Sequence, residues 1–294
     1  MTKDKPKLRQ PGMVCGIDGW VNGGEAATGT VQYLVDKLGA TKFAEIPIDR
    51  FHIFQVPGQL SLRPQVRIED GILEEHHFPT NEFFCWVNPI TDHDLILFSG
   101  SEPNMNWEEY AEALLGIAKQ FKVDRIYLLG GVLDRLPYTK EPHVSCSCSS
   151  PAIRNEMQKY GILGVEYEGP GSFSTTLLHI CQNQRMDMII LVARAAYYPE
   201  FNILIPRNPK SIRALVTRLE SILHINLDTP DLDTQVQEFE GKLDYMAGNN
   251  LEFQKYIERL EQDYTEIKYE KPLDISADEA VRIVEEFMRK KPDI

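Results

Sequence analysis

The run Gly16-Ile17-Asp18-Gly19-Trp20-Val21-Asn22-Gly23-Gly24 lies between an apolar stretch and a helical pattern. α/β proteins place phosphate-binding turns at such positions, where backbone N–H groups at a helix start can hold an anion. The residues inside the run point elsewhere. It has neither Gly-x-Gly-x-x-Gly order nor a Gly-Lys-Ser/Thr ending, and it offers Asp18 and Glu25 where a phosphate needs donors. Tight backbone passage or a subunit contact is the better reading, since Gly19, Gly23 and Gly24 permit close approach. A second helix-start loop, Gly169-Pro170-Gly171-Ser172, could also receive an anion on its N–H groups. It lacks the Gly-x-Ser-x-Gly nucleophile elbow, so Ser172 is expected to cap the helix.

The stretch His143-Val144-Ser145-Cys146-Ser147-Cys148 carries residue types that ligate zinc. On a strand Cys146 and Cys148 share one face while His143 points to the other, which favours buried structural thiols over a metal site. No metal and no cofactor is expected. Polar residues also follow the expected strands: Asp18 and Asn22, Glu102 and Asn104, Asp134 and Arg135, Glu168, and Arg194. Parallel strands would bring such loops to one rim, where an open α/β sheet keeps its ligand crevice. With Arg63 they yield the candidate ligand-binding set Asp18, Asn22, Arg63, Glu102, Asn104 and Glu168. No acid/base pair stands out, so no catalytic residue is assigned. The competing reading is a rim of mixed charges that is solvated or paired between subunits.

The elements that must position these groups are legible as alternating patterns. Met13-Val14-Cys15-Gly16-Ile17 reads as a buried strand, and Ala27, Val31, Leu34, Val35 and Leu38 follow at helical spacing up to Gly39, a stop signal. The unit recurs. Leu95-Ile96-Leu97-Phe98 precedes Trp107, Tyr110, Ala111, Leu114, Leu115 and Ala118 on one helical face, with Asn106 and Glu109 reading as a capping box. The apolar runs 126–129 and 188–192 suit strands covered on both faces. Helices are expected over 150–160, over 172–184 and from Pro209, a strand over 164–168, and a hairpin or extended excursion over 60–75. Residues 1–228 thus read as one α/β core domain with helices on both faces of a sheet.

Beyond Thr229-Pro230, a helix start with proline at its first position, the period changes. Leu232, Val236, Phe239, Leu243 and Met246 are spaced 4, 3, 4, 3, and so are Phe253, Ile257, Leu260, Tyr264 and Ile267 after the turn signal Gly248-Asn249-Asn250. Two heptad-like helices would pair as a hairpin that leans on the α/β domain or on a neighbouring subunit. A last helix is expected from Ser276, with Glu279 completing its capping box. Residues 229–294 therefore read as a C-terminal helical hairpin plus terminal helix, and their 17 acidic against 9 basic residues mark them as acidic.

Composition sets the outer bounds. The chain of 294 residues has 43% hydrophobic and 26% charged residues, as an ordinary globular protein does. A formal charge of −13 repels phosphate backbones and anionic headgroups, so neither nucleic acid nor a membrane is expected as partner. Five cysteines at irregular spacing read as reduced thiols, and no secretory signal is evident, so a cytoplasmic location is expected.

Taken in order, several short motifs resemble the proteasome assembly chaperone 2 family in its bacterial and archaeal branch. They are Gly16-Ile17-Asp18-Gly19-Trp20 with Asn22-Gly23-Gly24; Phe54-Gln55-Val56 with Arg63-Pro64 and Asp70-Gly71; and Gly100-Ser101-Glu102-Pro103-Asn104 with Trp107. Next come Leu129-Gly130-Gly131-Val132-Leu133-Asp134 with Pro137-Tyr138-Thr139, Tyr167-Glu168-Gly169-Pro170-Gly171, Tyr197-Tyr198-Pro199 and Asn208-Pro209-Lys210. The resemblance implies a three-layer α/β/α domain of phosphorylase/hydrolase-like type, an appended helical region and homo-oligomerisation, and it implies no reaction. The chain departs from the pattern at Pro137-Tyr138-Thr139, where many relatives have Pro-His-Thr. It ends Pro292-Asp293-Ile294 instead of the hydrophobic-Tyr-any tail with which archaeal relatives dock on proteasome rings, so docking of that kind is not expected.

The expected function is a non-enzymatic protein-binding or assembly-chaperone-like role, with a second copy of itself and a complex of proteasome type as partners. The alternative is an enzyme acting on a small phosphorylated or nucleoside-like ligand at the strand-end crevice. A buried, convergent cluster of Glu102, Arg63 and Glu168 around a pocket would favour the enzyme. A flat or subunit-covered rim would favour the scaffold.

Overall fold

The computed structural model describes residues 5–55 and 63–265. Strand β1 (Gly12–Asp18) has five buried residues in succession, so its side chains need cover on both faces. It lies inside an eight-stranded sheet. The order is β2 (Thr41–Glu45), β5 (Glu82–Trp86), β6 (Leu95–Ser101), β1, β7 (Ile126–Asp134), β10 (Met188–Ala196), β8 (Val144–Cys148) and β9 (Leu163–Gly164). The central four, β6, β1, β7 and β10, are parallel, while β5 and β8 flank them antiparallel. Strands β3 (Gln65–Glu69) and β4 (Ile72–His77) pair only with each other, as a separate ribbon.

Alternation along the strands splits the core in two. Val14, Leu95, Leu97, Leu129, Ile189 and Leu191 face α1 (Ala26–Leu38), α3 (Pro151–Lys159) and α5 (Pro209–Leu223). Met13, Cys15, Ile96, Phe98, Leu128 and Ile190 face α2 (Trp107–Gln120) and α4 (Phe173–Gln184). This is the expected three-layer α/β/α arrangement. Local signals place the helix ends. Gly39 closes α1 at φ 63, and Asn208 Oδ1 accepts from Ser211 N at 3.1 Å at the start of α5, with Pro209 in its first turn. No described helix is long and apolar enough to cross a membrane.

Several elements differ from the sequence reading. The strand expected over 164–168 shrinks to Leu163–Gly164, because β9 is an edge pairing that ends with Val165 N on Cys146 O. Asn106 sits in the left-handed region at φ 55 and its Nδ2 donates to Arg50 O, so the capping box with Glu109 does not form. The turn expected at Gly248-Asn249-Asn250 narrows to Asn250, as α6 (Pro230–Asn249) runs on and Asn250 Oδ1 caps α7 (Leu251–Asp263) from Phe253 N at 3.0 Å. The terminal helix from Ser276, and Ile267 of the apolar stripe, lie outside the described residues.

The α6–α7 hairpin does not bury its stripe only against itself. Leu243, Phe253 and Ile257 form a third core with Leu136 and Tyr138 after β7, and with Ala196, Tyr198 and Ile203 at and after the end of β10. Phe253 is fully buried, with Tyr198 5.3 Å and Phe201 5.1 Å away between ring centroids. Polar ties run alongside: Tyr138 Oη donates to Asp244 at 2.7 Å, and the buried Lys210 pairs with Glu240 at 2.5 Å. At the other end of the sheet Asp94, fully buried ahead of β6, accepts from Arg9 N at 2.6 Å, Arg9 Nη2 at 2.8 Å and Asn88 N at 2.8 Å.

These two anchor points lead to two expectations. Replacing Phe253→Ala removes a ring from a packed aromatic cluster, so it should cost about 3 kcal/mol. Hydrogen exchange should show the loss of protection spreading from α7 into the loops after β7 and β10; an effect confined to α7 would mean that the third core is not shared. At Asp94 burial alone would raise the pKa, but the hydrogen bonds from Arg9 and Asn88 outweigh it and hold the carboxyl below its ordinary range. Its folded pKa is thus lower than its unfolded value of about 3.9, so its stabilisation is present above about pH 4 and is lost as pH falls through the folded value. Asp94→Asn should lower the melting temperature at pH 7 and flatten the acid limb of the stability curve; an unchanged acid limb would defeat this account.

Candidate functional site

The C-terminal ends of β6, β1, β7 and β10 form one rim, and the loop after β1 fills its centre. Asn22 organises that loop. Its Oδ1 accepts from Ala27 N at 3.1 Å and Thr28 N at 3.2 Å, capping α1, and its Nδ2 donates to Asp18 Oδ1 at 2.9 Å. Gly24 and Glu25 both take left-handed backbone, at φ 64 and 49, to turn the chain into the helix. The loop then runs hard against β7, with Gly131 N donating to Val21 O at 3.0 Å. A Cβ on Gly131 would stand 2.1 Å from Gly23 O, so both positions are closed to side chains. The run of glycines thus serves backbone packing inside the subunit.

Glu102 follows β6 and spends both oxygens on backbone. Oε2 accepts from Trp20 N at 2.7 Å, and Oε1 accepts from Phe173 N at 2.9 Å at the start of α4. A carboxylate at a helix N-terminus is favoured by the orphan N–H groups and the helix dipole. It stands where an external anion would otherwise be drawn by the Gly169-Pro170-Gly171-Ser172 loop. Ser172 occupies the cap position, but its side chain makes no capping hydrogen bond. The expectation for Ser172 is therefore corrected: the cap is supplied from another loop, at long sequence range.

Of the candidate set, Asp18, Asn22 and Glu102 come together, joined also by Glu102 N on Asp18 O at 2.7 Å. Asn104 stands next to them and fixes the neighbouring loop, with Oδ1 accepting from Ile53 N at 2.8 Å and its own N–H donating to Phe51 O. Arg63 and Glu168 are exposed, and among the described residues neither hydrogen-bonds or ion-pairs with the others. Arg194 pairs with Asp134 at 2.7 Å and Arg135 with Glu200 at 2.5 Å. The convergent cluster of Glu102, Arg63 and Glu168 does not form.

What the rim does present is apolar. Trp20 and Tyr167 are each 67% exposed, and Ile53 after β2, Met105 after β6 and Val132 and Leu133 near the end of β7 are also open to solvent. None of these residues belongs to the polar set that the sequence singles out. Their signal was a tryptophan inside a glycine-rich loop, which packing of that loop does not require.

The Cys146 and Cys148 sulfurs lie 3.7 Å apart on one face of β8, beneath α3. The hydrogen bond between them favours a Cys146 thiolate and keeps Cys148 protonated. His143 is held apart, stacked on Tyr264 at 4.6 Å, and burial lowers its pKa despite the Thr265 carbonyl at 2.7 Å. Among the described residues no group of three or more His, Cys, Asp or Glu is placed to hold a metal ion. A cleft of about 300 Å³ lies at the opposite end of the sheet, beside Asp94, Asp124 and Arg125, away from the candidate set.

The sequence profile of the PAC2 family matches residues 16–247. Among solved structures, a PAC2 family protein from Streptomyces avermitilis is 27% identical with a TM-score of 0.71, over 84% of this chain and 99% of that one. A proteasome-assembly chaperone homologue from Mycobacterium tuberculosis is 26% identical with a TM-score of 0.71, over 83% of this chain and 99% of its own. PbaB of Pyrococcus furiosus, an archaeal proteasome activator, shares the fold at 21% identity and a TM-score of 0.63, covering 84% of this chain and 97% of PbaB. No curated protein matches the chain.

The Glu102 bridge can be tested by Glu102→Gln, which preserves shape but leaves an amide donor facing a backbone donor. The loss of one charge-assisted hydrogen bond should cost about 2 kcal/mol in denaturant unfolding. Hydrogen exchange at Phe173 and Trp20 should quicken; unaltered exchange at both amides would remove Glu102 from the role assigned to it.

Proposed function

The chain belongs to the PAC2 family, and from that membership we propose that it is a non-enzymatic, assembly-chaperone-like protein whose strand-end rim binds protein surfaces. The partner class is proteasome-related, as similarity to a proteasome-assembly chaperone homologue suggests, and a second copy of the chain is the other partner. The observation that carries this reading is the division of labour at the rim. Asp18, Asn22, Glu102 and Asn104 are committed to the protein's own backbone and loops, while the Trp20 and Tyr167 rings are exposed, Tyr167 tied at its hydroxyl, which donates to Pro170 O at 2.9 Å. Exposed aromatics on a rigid support are the usual anchors of protein interfaces.

In this reading Asp18, Asn22, Glu102 and Asn104 shape the surface from beneath, and Arg63 and Glu168 take no part in that support. The α/β core supplies the rim, and the helical hairpin of α6 and α7 is an appended unit seated on the loops after β7 and β10. A cytoplasmic site of action fits five free thiols and the absence of disulfides among them. The enzyme reading has no comparable support, since both oxygens of the carboxylate at the centre of the rim already accept backbone N–H groups.

The test is direct binding of the full chain to proteasome subunits of its source organism, with Trp20→Ala and Tyr167→Ala beside the parent. Truncating an interfacial aromatic should weaken binding by at least tenfold, with melting temperature unchanged because neither side chain is buried. Failure of the parent to bind, or equal binding by both variants, would overturn the proposal.

A further inference from the structure

Of the five free thiols, Cys15 and Cys181 are sealed in the layer beneath α2 and α4, and Cys85 lies on β5, toward the far edge of the sheet. Burial pushes all three upward in pKa, away from the reactive thiolate. Cys146 and Cys148 are placed differently. They alternate with Ser147 on β8, so both point to the α3 side of the sheet, and their sulfurs face each other at 3.7 Å. Cys146 is 2% exposed, whereas Cys148 is half-buried. Toward the sheet edge the pair is thinly covered: Gly164 stands opposite Cys146 on β9, and a side chain there would meet the Arg154 stem at 3.7 Å as its nearest neighbour. The Cys148 thiol donating to Cys146 favours the Cys146 thiolate, and the Arg154 charge acts in the same direction. Once one proton is lost, the other is shared between the two sulfurs.

We propose that Cys146 and Cys148 form an oxidative modification site, which a hydroperoxide closes to a disulfide within β8. When the shared proton sits on Cys146, the more open Cys148 thiolate attacks a peroxide oxygen, the O–O bond breaks, and Cys148 sulfenic acid and hydroxide form. The Cys146 sulfur then attacks the sulfenyl sulfur, and the sulfenyl oxygen leaves as water with the Cys146 proton. The two thiols lose two electrons and two hydrogens. Hydrogen peroxide ends as two waters, the hydroxide taking up the proton lost on ionisation. Alternate residues of a strand lie about 6.7 Å apart between Cα atoms, against about 5.5–6 Å in most disulfides, so β8 has to draw in. Its inner side is fastened along five residues to the buried strand β10, while its outer side holds the two-residue β9 and the Val165 N–H on Cys146 O at 3.0 Å. The outer pairing is the part that yields. It leads within three residues to Tyr167, so oxidation loosens the loop that carries one of the exposed aromatics of the rim.

The test needs the reduced full chain and hydrogen peroxide but no partner protein, so its outcome is independent of the function proposed for the rim. Peptide mass mapping after oxidation should find Cys146 joined to Cys148 with the loss of two hydrogens, while Cys15, Cys85 and Cys181 stay open to alkylation once the chain is unfolded. In Cys146→Ser no bridge can form, and a 1,3-diketone probe should trap sulfenic acid at Cys148; in Cys148→Ser it should leave Cys146 unlabelled. Exchange of the Val165 amide should quicken about tenfold in the bridged parent and recover on addition of a dithiol reductant. A parent that forms no bridge between Cys146 and Cys148, or whose Cys15 is oxidised as fast, overturns the site whatever the variants do. Labelling of Cys146 in Cys148→Ser without labelling of Cys148 in Cys146→Ser overturns Cys148 as the attacking sulfur. A bridged parent with unchanged exchange at Val165 overturns the release of β9.

Discussion

A single carboxylate, that of Glu102, accepts backbone N–H groups from two other parts of the chain, and the arrangement of the rim follows from it. Trp20 N lies in the loop after β1 and Phe173 N at the head of α4, so one side chain on the β6 loop ties three segments that are distant in sequence. A helix start left without such a partner would draw water or an anion. Because Glu102 fills that position, the rim has its charge built in. The loop after β1 is then held from both sides, by Glu102 at Trp20 and by β7 at Gly23, and the indole is left facing solvent.

The same economy explains why the polar residues at the strand ends are poor guides to a ligand. Asn22 caps α1 and Asn104 fixes the loop at Ile53. Each looks chemically available when read as a residue type and is committed once its neighbours are in place. The third core extends this logic to the helical hairpin, which closes over the loops after β7 and β10 and takes its stability from them. Isolated helices of this length gain little without such packing.

The layered fold was legible because strand and helix periods depend on local spacing alone. Met13 to Ile17 could be read as a strand with two covered faces, and Val31, Leu34 and Leu38 as a helix stripe, without knowledge of their partners. Partnerships at long range were not legible. Ser172 has the residue type of a cap, yet the acceptor that serves α4 comes from 71 positions away. Asn106 and Glu109 have the spacing of a capping box, but left-handed backbone at Asn106 turns its side chain to Arg50. The grouping of Asp18, Asn22 and Glu102 was legible from topology, because parallel neighbours must end at one rim. The exposure of Trp20 and Tyr167 was not, since hydrophobic residues are assigned to cores by default.

Gly23 and Gly131 meet so closely that neither position can accept a side chain, while Trp20, three residues before Gly23, contributes its side chain to no packed core among the described residues. Constraint and freedom therefore alternate within a few positions of one loop. A lineage can exchange the indole for another anchor and acquire a different partner without disturbing the support that presents it, whereas drift at either glycine is punished at once. The rim is thus an evolvable surface on an inflexible mount, and diversity of partners within one fold is what such a division permits.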